Sequence, residues 1–242
     1  MPKIIAVMSG KGGVGKSSVS IAIAAIVSEK YSTVLLDFDI CGPSTTTALN
    51  ATGSLIKVEN GFKPVSCSST LDVLSFGSIL NPSDAVIWRG PKKLMFLNLF
   101  FNSIQSYDYV IIDTPPGISE EHDFLADKGV SVIIVTTPQN ISLNDTQRCI
   151  EFCLSRNISI LGVIENMSSF RCECCGEIVH PFGSKGGKQL SDEYGLKFLC
   201  ELPIEARFSG LIDAGRFKEG YKTLETCEII RKILVGELCL LK

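Results

Sequence analysis

Six short apolar runs punctuate the chain: KIIAVM at residues 3–8, TVLLDFD at 33–39, LDVLSF at 71–76, YVIIDT at 109–114, SVIIVTT at 131–137 and ISILGVIEN at 158–166. Several are rich in Val and Ile with no polar alternation, the pattern of strands buried on both faces. Stretches of helical length lie between them, at residues 16–29, 91–104 and 141–156. This alternation predicts an α/β fold with a mostly parallel sheet and helices on both faces, and it places ligands at the carboxyl ends of the strands. Local signals point the same way. Pro91 suits the first turn of one helix, and SLND at residues 142–145 reads as a capping-box-like start of another. Residues 41–69, rich in Ser, Thr, Gly and Asn, read as long loops beside the ligand edge.

The chain has 242 residues, 45% of them apolar and 20% charged, enough to bury a full core in one domain spanning residues 1–242. A net charge of -3 provides no basic footprint for phosphate backbones, so nucleic acid is not an expected partner. No apolar run reaches the roughly 18 to 20 residues of a membrane span, and KIIAVM is too short for a signal peptide; a cytoplasmic location is expected. In that setting the ten cysteines are reduced, and most are expected to be core packing.

The chemistry starts at GKGGVGKS, residues 10–17, which fits G-x-x-x-x-G-K-[ST] between the first strand and the first helix. Glycines there let successive N–H groups face a polyphosphate, and the helix start adds its positive dipole end. Lys16 is expected on the β and γ phosphates and the Ser17 hydroxyl on Mg²⁺. Asp37, Asp39 and Asp113 follow buried strands, where a metal-bound triphosphate needs carboxylates. Asp113 suits the Walker-B position, Asp37 is a further Mg²⁺ candidate, and Asp39 suits orientation of the attacking water. Pro115, Pro116 and Gly117 make a stiff turn with a hinge, placed to report a γ-phosphate.

A second motif, RCECCGEIVHPFGSKGG at residues 171–187, gathers three cysteines within four positions. Residues 166–187 are expected to form a metal-binding loop. A tetrahedral zinc or a [4Fe–4S] cluster takes four protein ligands, and Cys172 with Cys175 gives two. Cys41, Cys67, Cys149, Cys153, Cys200, Cys227 and Cys239 show no second knuckle spacing. Two copies about a two-fold axis supply four thiolates. A structural turn or an isolated reactive thiol is the other reading, and spacing does not choose between iron–sulfur and zinc. His180, five residues beyond Cys175, reads as a loop histidine.

Taken together, GKGGVGKS, DFDICGPS, WRGPKK, DTPPGISEEH, ENMSSF and the CxxC resemble the Mrp/ApbC-type proteins among the ParA/MinD-like deviant Walker A ATPases, over nearly the whole chain. That resemblance implies a P-loop NTPase of the SIMIBI class, and it looks closest to the shorter of two cytosolic iron–sulfur assembly scaffolds. The longer scaffold's extra four-cysteine segment has no place before a first strand at Lys3. By the same resemblance Lys11 is the signature lysine that reaches the nucleotide of the other subunit, and Asn166 contacts adenine. Pro203 and Glu205 of ELPIEARFS (residues 201–209) sit on a second, looser adenine-side loop. The implied nucleotide shell is Gly10, Lys11, Gly12, Gly13, Val14, Gly15, Lys16, Ser17 and Ser18 with those three. Implied ligands are ATP, Mg²⁺ and a [4Fe–4S] cluster bridging two subunits; implied partners are a second copy or the longer scaffold, and client apoproteins. Cys174 departs from the family's CxxC. Two other readings are a membrane-associated positioning ATPase of the MinD type and a zinc-stabilised interaction protein without catalysis. Against the former, the tail EIIRKILVGELCLLK (residues 228–242) has few basic residues and a break at Gly236, so it is expected to pack on the sheet.

Overall fold

All six apolar runs form strands. The computed structural model describes residues 2–39, 45–53, 55–78 and 90–241. Residues 40–44, with Cys41, and Trp88 and Arg89 of WRGPKK lie outside them. In chain order the elements are β1 (Lys3–Met8), α1 (Lys16–Val27), β2 (Thr33–Asp37), α2 (Thr45–Ala48), β3 (Ile56–Val58), β4 (Gly61–Lys63), β5 (Val65–Ser66) and β6 (Leu71–Ser75). Then come α3 (Gly90–Asn102), β7 (Tyr109–Asp113), α4 (Glu120–Ala126), β8 (Ser131–Thr136), α5 (Asn140–Ser155), β9 (Ser159–Glu165), β10 (Phe170–Arg171) and β11 (Ile178–Val179). The chain closes with α6 (Gly186–Glu193), β12 (Phe198–Glu201), α7 (Ala206–Asp213), α8 (Phe217–Gly220) and α9 (Glu225–Lys232).

Eight strands make one sheet in the order β12-β9-β8-β1-β7-β2-β6-β5. Every pairing is parallel except β5 with β6 at one edge. The central strands are Val/Ile-rich and continuous because both faces are covered. One face packs on α1 and α9 through Ile23, Ile26, Leu35, Ile111 and Ile230; the other packs on α3, α4 and α5 through Leu97, Phe100, Val110, Ile134 and Ile150. β1 lies between β7 and β8, so the loop that leaves it opens at a topological switch point. Register sets Asp37 directly beside Asp113 across the β2–β7 pair.

Two local expectations are corrected. SLND does not start a helix: α5 begins at Asn140, and Ser142 is buried within its first turn, receiving the Thr137 hydroxyl at 2.8 Å. The box that does form is at α4, where the Ser119 N–H donates to His122 Nδ1 at 3.1 Å. Residues 41–69 are not loop throughout, since they hold α2, the β3–β4 hairpin and β5. The tail packs as expected: Ile230, Ile233, Leu234 and Leu241 are buried in the α1-side core.

Candidate functional site

The loop between β1 and α1 is shaped by close approaches. Gly13 and Gly15 have φ of 81° and 84°, in the left-handed region open to glycine. A Cβ on Gly15 would fall 2.2 Å from Asn166 Nδ2, and one on Gly10 would fall 2.1 Å from the Asp145 carbonyl of α5. Asn166 Nδ2 donates to Val14 O at 2.8 Å, and the Gly117 N–H donates to Ser9 O at 3.0 Å, which ties the Pro-Pro-Gly turn to the loop. α1 starts on Gly15 without a side-chain cap and without an acidic residue in its first turn. Its leading N–H groups and dipole therefore face outward, a cradle suited to phosphate. Gly12 and Gly13 are exposed on its rim and Lys11 is half-buried there. Among the described residues Lys11 has no ion pair within the chain.

Beneath the cradle lies a buried charge cluster. Lys16 Nζ is 2.6 Å from Asp113 Oδ1 and 3.3 Å from the Ser17 hydroxyl, and the Ser20 hydroxyl donates to the same Asp113 oxygen at 3.0 Å. Asp113 Oδ2 is buried with no hydrogen-bond partner. Asp37 is fully buried; its oxygens accept the Asp39 N–H at 3.0 Å and the hydroxyls of Thr45 at 2.7 Å and Ser75 at 3.2 Å. Burial, then the Asp113 carboxylate, push the Asp37 carboxyl up to about 7. Two acids share one lysine here, and a vacant carboxylate oxygen is unusual in a buried site. The donor set fits a divalent cation, which Ser17 and Asp113 would hold, with Asp37 hydrogen-bonded alongside. Asp39 follows β2 and is half-buried.

The far end of the Asp113 turn is stapled. His122 Nδ1 accepts the Ser119 N–H, so Nε2 carries the proton and meets the Thr114 hydroxyl at 3.2 Å; that hydroxyl donates to Val7 O at 3.0 Å. Burial holds His122 down at about 4. Glu121, also buried, pairs with Lys93 of α3 and accepts the Ser119 hydroxyl. Sequence reasoning passed over His122 because the capping-box pattern asks for Glu or Gln three residues after the cap.

Gly15, Ser18, Asn166, Pro203 and Glu205 line one cavity of about 290 Å³. The structure thus gathers the expected adenine-side residues. It also adds Met167, Phe182 and Phe208, which lie within quoted motifs but were not singled out, and Thr226, which lies in none. The Glu205 carboxylate accepts the N–H groups of Glu225 at 3.3 Å and Thr226 at 3.1 Å, capping α9. The Thr226 hydroxyl is buried without a partner.

The cysteine motif stands apart on a two-residue-per-strand hairpin, β10 with β11. Cys172 N–H donates to Glu177 O and Gly176 N–H to Cys172 O, both at 2.8 Å, with Gly176 at φ 74° closing a tight knuckle. The N–H groups of Cys175 and Cys174, directed at its sulfur, hold the Cys172 thiol below its ordinary value. Burial instead pushes Cys67 up to about 11 and Cys200 and Cys227 up to about 12, which makes them inert packing thiols. Cys174 and Cys175 are exposed. Among the described residues, no three thiol, imidazole or carboxylate groups converge to hold a metal. His180 is engaged on the backbone, its Nδ1 lying 2.7 Å from Ser168 O.

The family described as ParA: NUBPL iron-transfer P-loop NTPase matches residues 1–236. A protein of Aedes aegypti named cytosolic Fe-S cluster assembly factor Nubp2 homolog is 43% identical over 93% of this chain and 90% of its own. The factor named cfd1 of Aspergillus terreus is 35% identical over 95% of this chain and 85% of its own. Among solved structures, a nucleotide-binding protein of Archaeoglobus fulgidus in complex with ADP superposes with a TM-score of 0.76 at 29% identity, covering 90% of this chain and 88% of that one. MinD of Pyrococcus horikoshii with Mg-ADP, at 21% identity and a TM-score of 0.71 over 99% of this chain and 98% of that one, shares the fold. With its phosphate cradle, buried acids and thiol knuckle in place, this chain belongs to the ParA-type iron-transfer P-loop NTPases.

Proposed function

We propose that the chain is a cytosolic iron–sulfur scaffold that binds and hydrolyses ATP and carries a labile [4Fe–4S] cluster as cargo between paired subunits. The observation that carries this reading is the half-built knuckle. Cys172 is biased toward thiolate by two N–H groups and Cys175 is exposed, yet among the described residues no third donor converges on them. Two such knuckles complete a four-thiolate set. The relatives named as cytosolic Fe-S assembly factors support the choice of cargo. A second copy or the longer homologous scaffold supplies the other knuckle, and client apoproteins receive the cluster.

In the nucleotide site the N–H groups of the cradle bind the triphosphate, Lys16 leaves Asp113 for the phosphates, and Lys11 on the rim reaches toward the facing subunit's nucleotide. A divalent cation would supply charge neutralisation at the phosphates, and Ser17 and Asp113 would hold it. Asp39 orients the attacking water, since phosphoryl transfer rests on positioning and electrostatics. Asn166, Pro203 and the cavity around them hold the adenine. The tail helix α9 packs on α1, and no described helix is long and apolar enough to cross a membrane.

Anaerobic reconstitution tests the reading. Iron and sulfide per dimer, Mössbauer spectra and sedimentation are compared for the wild type and for Cys172→Ala/Cys175→Ala. A four-iron cluster found only in the dimer, and lost in the double variant, is the expected result. A full cluster on a monomer or on the double variant overturns it, as does recovery of zinc alone from protein isolated without oxygen.

A further inference from the structure

Two cavities share one wall. Pro203, Ile204 and Glu205 line the adenine-side cavity and also a cavity of about 340 Å³ beneath the thiol hairpin. On the hairpin side, this wall is bonded to the segment that runs from Asn166 to Cys172. The Ser168 N–H and hydroxyl both donate to Leu202 O, at 3.0 and 3.1 Å, and the Ile204 N–H donates to Ser169 O at 2.7 Å. Phe170 of β10 makes a β-bridge with Ile204. From the hairpin's other leg, His180 Nδ1–H donates to Ser168 O at 2.7 Å. Ser168 is 2% exposed and joins three segments: the continuation of the adenine-contact strand, the wall and the returning leg of the hairpin. Between Asn166 and Ser168 the backbone passes through Met167 at φ 57°, a conformation that a long side chain adopts only when its surroundings enforce it.

We infer that Ser168 and His180 are positioning residues that fasten the thiol hairpin to the nucleobase wall, so that filling the base end of the nucleotide site sets the accessibility of Cys172 and Cys175. A ligand biases a distant element only through contacts that differ between that element's states. An adenosine moiety would meet the shared wall directly, whereas the phosphate loop reaches it only through Asn166, whose Nδ2 donates to Val14 O at 2.8 Å, and through Gly15 and Ser18 at the other end of the cavity. This inference rests on the reading of the Cys172 knuckle as the nucleotide-linked cargo site, and its test uses metal-free protein so that the two fail separately.

The measurement is the iodoacetamide alkylation rate of the peptide carrying Cys172, Cys174 and Cys175, followed by mass spectrometry. Protein alone is compared with protein plus Mg²⁺ and inorganic triphosphate, and with protein plus Mg²⁺ and a non-hydrolysable ATP analogue. The analogue is expected to change the rate about fivefold or more, and inorganic triphosphate to leave it unchanged. His180→Ala is expected to bind the analogue as the wild type does but to lose the rate response. His180→Asn, which keeps a side-chain donor, restores it; a merely structural role for the ring would not link rescue to the nucleotide-dependent rate. Inorganic triphosphate acting as strongly as the analogue, or a full response in His180→Ala, overturns the inference. Failure to hold any cluster would sink the scaffold reading and leave this thiol response standing.

Discussion

The phosphate loop and the thiol hairpin are built by opposite means. At the loop, one chain builds the cradle: a central strand, a helix start, two neighbouring strands that bring Asp37 and Asp113 side by side, and buried hydrogen bonds on three of their four carboxylate oxygens. At the hairpin, two strands of two residues each support thiols that are half-buried or exposed, flanked by Ile178 at 50% and Val179 at 40% exposure. A preorganised site stabilises charge at low cost at the moment of reaction. An open knuckle suits a group that, on the proposed reading, must be handed on. The difference teaches that the phosphate loop is preorganised within the chain, whereas the thiols are left accessible.

The largest test of the contrast is Lys16→Ala. Hydrolysis is expected to fall on the order of 100-fold or more, while the alkylation rate of the hairpin thiols in nucleotide-free protein stays at the wild-type value. A hairpin altered by that change alone would erase the separation. The next is pH. The His122 value is about 4 in the folded chain against 6.5 for an ordinary histidine. A group depressed in this way gives stability that is present above pH 6.5 and lost as pH falls toward 4. At most this amounts to roughly 3 kcal/mol. Urea unfolding of wild type and His122→Gln at pH 7.5 and 5 should show the wild type losing more on acidification.

Two glycines sharpen the comparison further. Gly15 and Gly176 have similar positive φ, 84° and 74°, but an added Cβ meets Asn166 Nδ2 at the first and nothing within 4 Å at the second. Gly176→Ala should cost only the left-handed backbone penalty, about 1 to 2 kcal/mol, confined to the hairpin. Gly15→Ala should cost more and weaken ATP binding, as calorimetry would show. Smallest is Thr226→Val, which removes the unpartnered hydroxyl from the adenine-side cavity. Melting of the nucleotide-free protein should rise, by about 1 kcal/mol of stability.

Legibility in the sequence followed the same divide. The phosphate loop could be read because its chemistry is contiguous: glycines, lysine and serine act within eight positions. The six core strands were legible because burial on both faces leaves uninterrupted Val and Ile. β12, only four residues long at the sheet edge, carries no such signature. The β3–β4 hairpin hid in a Ser/Thr/Gly/Asn-rich stretch, although Asn60-Gly61 at its turn was a usable signal. Met167, Phe182, Phe208 and Thr226 meet only in three dimensions, brought together from segments up to 59 residues apart by the β9–β12 pairing and the α9 cap. The CxxC spacing of Cys172 and Cys175 was plain in the sequence, but the bias of Cys172 toward thiolate depends on N–H directions that no spacing states.

The Lys16–Asp113 pair makes the resting enzyme a competitor for its own substrate. A triphosphate that draws the ammonium away leaves a buried carboxylate without the cation paired with it among the described residues, a loss of several kcal/mol unless another cation replaces it. Metal-free ATP, with a chelator present, should therefore be a poor ligand, and the metal-bound complex should be preferred before any chemistry begins.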